Sequence, residues 1–225
     1  FGTIKVLDKE NEYEITSMRC ESGYSDKRHP EKIAFTNDII KDLQRRDFTI
    51  NAMAKRNGEI LDLFDGKKDL ENKIIRAVGN PDNRIKEDVL RSLRAVRFAT
   101  SLDFNIEENL KSAIRKHAAS IDAISKERVQ VEINKILLAD NQKRGIKILD
   151  DVGLLPYIFP EVYKTKGFNQ HSSFHVDDLY NHTLSVLEKT PPILEVRMAA
   201  LYHDVGKVDT FFLDENGEGR FFGHQ

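Results

Sequence analysis

The chain has 225 residues, 35 lysines and arginines against 37 aspartates and glutamates, a formal charge of −2 and 40% hydrophobic residues. That length and balance fit one large globular domain or two modest ones, and they exclude a polybasic protein, so any contact with a polyanion must come from local clusters of cations. Cys20 is the single cysteine, which rules out an internal disulfide, and no apolar run approaches the roughly 18 residues of a membrane span. The expected address is therefore cytoplasmic, with no membrane contact. The chain starts at Phe1 rather than Met and stops at Gln225 within a stretch rich in Gly and Phe, which reads as a piece of a longer protein.

From Gly2 to Arg19 polar and apolar residues alternate, with Ile4 and Val6 answered by Tyr13 and Ile15 across a polar turn over 8–12, which predicts an antiparallel hairpin. Period two puts Glu14 on the face opposite Tyr13 and Ile15. Residues 21–34 are polar, carry Gly23 and Pro30, and read as a loop; its Lys27, Arg28 and His29 fit a solvated loop as well as a phosphate contact. Thr36 or Asn37 caps a helix through Ile39, Ile40 and Leu43. That helix delivers the stretch Arg45-Arg-Asp-Phe-Thr-Ile-Asn-Ala52, in which two cations, a carboxylate and an amide are set between apolar residues. A segment serving only the core has no use for so many polar groups, which marks this one as a site.

Residues 59–64 then suggest a strand ending in a turn at Asp65-Gly66, flanked by Asp62 and Asp69, a hinge or a well-formed loop. Beyond Pro81 the pattern turns helical. A helix over 87–100 carries Val89, Leu93 and Val96 on one side and Asp88, Arg91 and Arg94 at three-residue spacing on the other, with Arg97 at the border. Further helices are expected at 107–118, 126–138 and 142–152, then a loop over 167–175 that holds His171 and His175, and two last helices over 177–188 and 194–205. The expected class is α+β: a mixed or antiparallel sheet with helices first, all helix afterwards.

An enzyme that extends a polynucleotide must hold a triphosphate, recognise a ribose and choose a base. The planar fork of Arg46 suits phosphate, Asp47 can accept from a ribose hydroxyl, and Asn51 can donate to either. Cytosine and adenine both offer an amine donor beside a ring-nitrogen acceptor, whereas guanine and uracil offer the reverse. A carboxylate beside a guanidinium, as in Asp88 and Arg91, therefore complements C and A and leaves groups unpaired against G and U. An Asp and an Arg three apart are equally common as a plain surface ion pair.

The residues that carry a resemblance stand in order: Arg45 to Ala52, Asp62-Leu-Phe-Asp-Gly-Lys-Lys-Asp69, Glu87-Asp-Val-Leu-Arg-Ser-Leu-Arg-Ala-Val-Arg97, and Ser125-Lys-Glu-Arg128 followed by Glu132 and Lys135. They resemble the successive motifs of bacterial class II tRNA nucleotidyltransferases, the CCA-adding enzymes, which share a catalytic head with bacterial poly(A) polymerases. The resemblance implies template-independent addition of C and A to the tRNA 3′ end from CTP and ATP. Poly(A) synthesis, or addition of only CC or only A, stays open beside it. It implies that Arg46 binds triphosphate and Asp47 the sugar, with Asn51 alongside, that Asp88 and Arg91 read the base, and that Arg94 and Arg97 hold nucleotide or primer phosphate. Asp62, Gly66 and Asp69 become a hinge between C and A addition, and Glu14 a third catalytic carboxylate. The cofactor implied is Mg²⁺, whose paired aspartates should precede residue 1, so the chain alone is expected not to polymerise. The implied regions are the end of a nucleotidyltransferase head over 1–78, a helical neck over 79–155 that reads the base and binds tRNA, and the start of a helical domain over 156–225.

That last region carries His182 and then His203-Asp204-Val-Gly-Lys207, which resembles the start of an HD phosphohydrolase domain. Imidazoles and a carboxylate from two packed helices can hold a divalent metal that activates water, and Lys207 can steady a phosphate. His224 is a further ligand in that pattern. This opens a second class of function, an HD phosphohydrolase whose head serves only to bind RNA.

Overall fold

Alternation at the start of the chain produces paired strands, and the helical periodicity after Pro81 produces a stack of helices. The computed structural model describes residues 2–24, 30–169, 178–215, 217 and 219–223, so Lys27, Arg28, His29, His171, His175 and His224 lie outside the described residues. The chain divides into two compact units, residues 1–88 and 89–225.

In the first unit β1 (Thr3–Asp8) pairs antiparallel with β2 (Asn11–Thr16), Ile4 facing Ile15 and Val6 facing Tyr13, as the alternation predicts. The segment read as a loop over 21–34 is different: β3 (Arg19–Tyr24) and β4 (Pro30–Phe35) form a second antiparallel hairpin. Backbone pairing needs no apolar side chains, so Gly and polar residues do not forbid it. Next come α1 (Ile39–Gln44), capped by Asp38 whose carboxylate accepts from Ile40 N at 2.9 Å, and a 3-10 turn over Thr49–Asn51. The cap is thus one residue beyond those proposed from sequence. A third hairpin, β5 (Met53–Arg56) with β6 (Glu59–Asp62), leads into α2 (Gly66–Glu71), the short strand β7 (Ile74–Ile75) and α3 (Pro81–Glu87). The core of this unit gathers around Leu43, Phe48, Ala52, Ile75, Val78 and Ile85, all fully buried.

The second unit begins with α4 (Leu90–Ser101), the short strand β8 (Asn105–Ile106) and α5 (Glu108–His117). Then follow α6 (Lys126–Leu138), α7 (Gln142–Asp151), and two short helices, α8 (Leu155–Ile158) and α9 (Pro160–Lys164). The helix expected over 87–100 is broken at its start. Asp88 is extended, with φ −149° and ψ 105°, so it does not share a helical face with Arg91 and Arg94. α4, α6 and α7 meet at Gly145, where a Cβ would stand 2.6 Å from Ile136 Cγ2 and 3.0 Å from Thr100 Oγ1; only glycine allows that approach. Guanidiniums from elsewhere satisfy the last carbonyls of these helices. Arg144 donates to Ala99 O at the end of α4, and Arg197 to Leu137 O and Ala139 O at the end of α6. The unit continues with α10 (Leu179–Glu188), α11 (Leu194–Tyr202) and α12 (Lys207–Thr210). A hairpin the sequence pattern did not announce closes it, β9 (Phe211–Leu213) with β10 (Gly219–Phe221).

Candidate nucleotide site and metal centre

The stretch from Arg45 to Ala52 turns through the core of the first unit. Phe48 is fully buried and its backbone bridges Ala77, while Asp47 O accepts from Val78 N and Thr49 N donates to Arg76 O, each at 3.0 Å. Anchored on both sides, the polar side chains converge. Arg46 Nη1 donates to Asn51 O at 3.1 Å, Asn51 Nδ2 donates to Asp47 Oδ1 at 3.1 Å, and the same oxygen accepts from Phe48 N at 2.8 Å. Arg46, Asp47 and Asn51, chosen from sequence, thus form one connected cluster, with Asp47 buried and Arg46 43% exposed at its side chain.

Asp42 was not foreseen, and it organises this cluster from one turn back. Its buried carboxylate takes Arg45 Nη2 at 2.6 Å and Arg45 Nε at 3.0 Å on Oδ1, Arg46 Nη2 at 3.2 Å on Oδ2, and Arg19 N at 3.2 Å. Burial pushes the Asp42 pKa up, but the bonds from Arg45, Arg19 N and Arg46 outweigh it and hold the carboxyl below its ordinary range. The spacing of an acid three and four residues before two arginines was the signal available in the sequence.

Of the proposed hinge residues, Gly66 and Asp69 abut the 3-10 turn that carries Asn51, while Asp62 binds the backbone of its own loop. Asp62 accepts from Gly66 N at 2.9 Å, Phe64 N at 3.3 Å and Lys67 N at 2.8 Å, so it caps α2 from four residues upstream. Burial raises its pKa, and these backbone donors more than offset that and leave it lowered. Gly66 lies so close to the 3-10 turn that a Cβ would fall 2.3 Å from Thr49 O. Asp69, also buried, accepts from Thr49 Oγ1 at 2.7 Å and from Arg76 Nε at 3.1 Å. Glu14 stands apart on the exposed β2, paired across the strands with Lys5, whose Nζ is 3.6 Å from Glu14 Oε1.

Asp88 is the last residue of the first unit and Arg91 lies in the first turn of α4 in the second. Along α4, Val89, Leu93 and Val96 are buried as expected, while Arg91, Arg94 and Arg97 are half-buried. Arg97 Nη1 lies 3.2 Å from Glu132 Oε2 of α6, with Glu132 5% exposed, and the Arg97 and Arg94 guanidiniums lie 4.2 and 5.5 Å from the centre of the Phe98 ring. Arg97 is therefore neutralised inside the helix pair rather than presented as a bare cation.

At the far end of the second unit His182 from α10 meets His203 and Asp204 after α11. His203 Nε2 is 3.4 Å from His182 Nε2 and 3.2 Å from Asp204 Oδ2, and His182 Nε2 is 3.6 Å from the same oxygen. Potential ligand atoms of all three residues lie within 4.8 Å of one another. His203 Nδ1 is 2.8 Å from Ala200 O, an acceptor, so that nitrogen carries a proton and Nε2 is the ring atom that faces a ligand. Lys207 Nζ reaches Asp204 Oδ2 at 2.8 Å. Two imidazoles and a carboxylate suit a borderline divalent ion better than Mg²⁺, which prefers oxygen. Among the described residues this is where three potential ligands converge, and the cluster of Arg46, Asp47 and Asn51 is not such a group.

A bonded cluster of Arg46, Asp47 and Asn51 in a small strand-bearing unit, followed by helices, is an arrangement a nucleotidyltransferase could use, and comparison with known proteins places the chain in that class. The model of the poly A polymerase head domain matches residues 1–76, and that of the probable RNA and SrmB-binding site of polymerase A matches residues 103–165, together more than half of the chain. The CCA-adding enzyme of Limosilactobacillus reuteri is 48% identical over 157 residues, 69% of this chain and 39% of that protein. That of Ligilactobacillus salivarius is 46% identical over 180 residues, 78% of this chain and 45% of that protein. The Bacillus stearothermophilus CCA-adding enzyme solved with CTP aligns with a TM-score of 0.64 at 34% identity, covering 73% of this chain and 40% of that one. A tRNA nucleotidyltransferase solved with a primer tRNA and an incoming ATP analog aligns with a TM-score of 0.59 at 25% identity, covering 83% and 57%. The chain belongs to the family of CCA-adding enzymes and poly(A) polymerases. It spans about two-fifths of the length of the curated relatives it matches. No helix among the described residues is long and apolar enough to cross a membrane.

Proposed function

We propose that this chain carries the nucleotide-selecting part of a tRNA nucleotidyltransferase, one that adds C and A to the tRNA 3′ end from CTP and ATP without a template. The regions are a head over 1–78, a neck over 79–155 and the start of a helical domain over 156–225. In the reaction the 3′-hydroxyl of tRNA attacks the α-phosphate of CTP or ATP, the new phosphodiester forms, and pyrophosphate leaves with the bond it held. Divalent metal, Mg²⁺ in this proposal, supplies charge stabilisation for that transfer when bound. Arg46 grips phosphate, Asp47 the ribose, and Asn51 orients Asp47. Asp88 and Arg91 offer a carboxylate and a guanidinium to the base edge, Arg94 adds positive charge for nucleotide or primer phosphate, Arg97 adds less because Glu132 pairs with it, and Glu14 is the outlying carboxylate. The stretch from Asp62 to Asp69 is the element that adjusts between C and A.

The observation that carries this proposal is the mutual bonding of Arg46, Asp47 and Asn51 on a rigidly anchored turn, in a chain whose relatives are CCA-adding enzymes. Calorimetric titration of the chain tests it. CTP and ATP should bind and UTP and GTP should bind at least about tenfold more weakly. Arg46→Ala should remove binding of all four. Equal affinity for CTP and UTP would sink the proposal.

A second function is supported by the His182, His203 and Asp204 cluster. We infer a divalent-metal site of HD type there, in which the bound ion would activate water for phosphodiester hydrolysis. Hydrolysis of a generic phosphodiester that survives Arg91→Ala but not Asp204→Ala would support it as an independent activity.

A further inference from the structure

Arg84, on α3, belongs neither to the phosphate and sugar grip nor to the base edge, yet its guanidinium touches the backbone that leads to the first and the side chain of the residue that precedes Asp88. Nε donates to Val78 O at 3.2 Å, Nη1 to Arg45 O at 3.2 Å and Nη2 to Gln44 O at 3.1 Å. Nη1 also donates to Glu87 Oε2 at 2.9 Å. Gln44 and Arg45 end α1, where carbonyls lack helical partners, and the fork supplies the missing donors. Arg46 and Asp47 follow at once, while Glu87 immediately precedes Asp88. The Arg84 side chain is 13% exposed, so these bonds face little competition from water. A planar group with fixed N–H directions turns four acceptors from two ends of the unit into one spacing, which a flexible ammonium cannot do.

We propose that Arg84 is a positioning residue for nucleotide selection. It sets the distance between the Arg46 and Asp47 grip and Asp88, so that a nucleotide whose triphosphate and ribose are seated also has its base edge in register. This rests on the nucleotide-site proposal above. A strut that served folding alone would weaken every ligand alike. A spacer between two halves of one site instead changes the preference among bases and leaves phosphate binding in place.

The test titrates CTP, UTP and inorganic tripolyphosphate into the chain and into Arg84→Gln, Arg84→Lys and Glu87→Gln, with circular dichroism and thermal melting alongside. Arg84→Gln is expected to cut the CTP-to-UTP preference about tenfold while tripolyphosphate affinity changes less than about twofold. Arg84→Lys should recover little of the preference, and Glu87→Gln should reproduce part of the loss. If the unsubstituted chain shows no CTP preference, the nucleotide-site proposal fails and takes this one with it. A CTP preference that is present and survives Arg84→Gln overturns the positioning role alone. A uniform loss for all three ligands overturns it too, in favour of a strut. Should Arg84→Gln not fold, an unchanged preference in Glu87→Gln overturns it.

Discussion

Asp42 Oδ2 lies 3.2 Å from Arg46 Nη2, and the other oxygen of that carboxylate takes Arg45 Nη2 at 2.6 Å. One buried acid thus holds both arginines that open the proposed nucleotide grip. Asp42→Asn removes the charge and turns an amide N–H₂ toward a guanidinium, leaving the Arg45 charge poorly compensated. CTP affinity should fall about tenfold, in titrations run beside Arg46→Ala. Stability should respond to acid. The folded-state pKa of Asp42 is lowered from 3.8, so the stability it confers is complete above about pH 4 and is lost as the pH falls through the depressed value. Asp62 and Asp151 are lowered as well and sharpen that acid limb. Asp42→Asn should flatten it in urea denaturation at pH 2.5–5. A limb of unchanged steepness would remove Asp42 from this role.

The grip was legible because its members sit within seven residues of one another, so adjacency in sequence forces adjacency in space. Residues that hold it were not. Arg84 reaches Arg45 O across 39 positions, and a backbone carbonyl as partner leaves no mark on the residue type; within the second unit Arg144 reaches Ala99 O across 45 positions and was missed for the same reason. The hairpin of β3 and β4 was missed for a related reason: its ladder is backbone to backbone, while Gly23 and Pro30 signal a loop. Asp88 shows the converse limit. Its neighbours favour helix, and the period-three pattern through Asp88, Arg91 and Arg94 invites one continuous face, but the backbone is extended at that residue. The pairing of His182 with His203 and Asp204 could be anticipated from the His-Asp-Val-Gly-Lys run, although the helix expected over 194–205 ends at Tyr202 and leaves His203 and Asp204 in the turn that follows it.

Gly66→Ala is expected to act on the grip through the backbone. The added methyl would meet Thr49 O at 2.3 Å, and no rotamer can relieve a contact with a carbonyl oxygen. The 3-10 turn that carries Asn51 must shift, so CTP affinity should fall together with the melting temperature. Asp62→Ala removes acceptors for three backbone N–H groups and should cost about 1–2 kcal/mol, the usual scale of a lost cap, with a smaller effect on CTP. If Gly66→Ala bound CTP normally, the link from this turn to the grip would be refuted.

The Arg97 and Glu132 pair lends itself to a double-mutant cycle. Both side chains are largely buried, 13% and 6% exposed, so removing either one strands a charge. Glu132→Leu and Arg97→Met should each destabilise by about 3–5 kcal/mol in urea, and the double variant should lose less than either single change. Additive losses would mean that the two charges do not compensate each other. The pair also explains why Arg97 offers less to phosphate than its sequence position suggests, and Arg94→Ala should weaken primer binding more than Arg97→Lys does.

Metal binding at the second site sets up a competition at one oxygen. Lys207 Nζ stands 2.8 Å from Asp204 Oδ2, the same atom that faces both His182 and His203. A divalent ion entering between the imidazoles must displace or share that contact with an ammonium, and like charges in a partly dry site repel. Lys207→Met should therefore raise the affinity for Co²⁺ or Zn²⁺ several-fold at pH 7, measured by titration with a competing chelator. His203→Ala should abolish stoichiometric binding, since it removes the nitrogen that Ala200 O holds in the metal-binding tautomer. Metal content by mass spectrometry that is the same in the unsubstituted chain and in His203→Ala would show that the three residues do not form a centre.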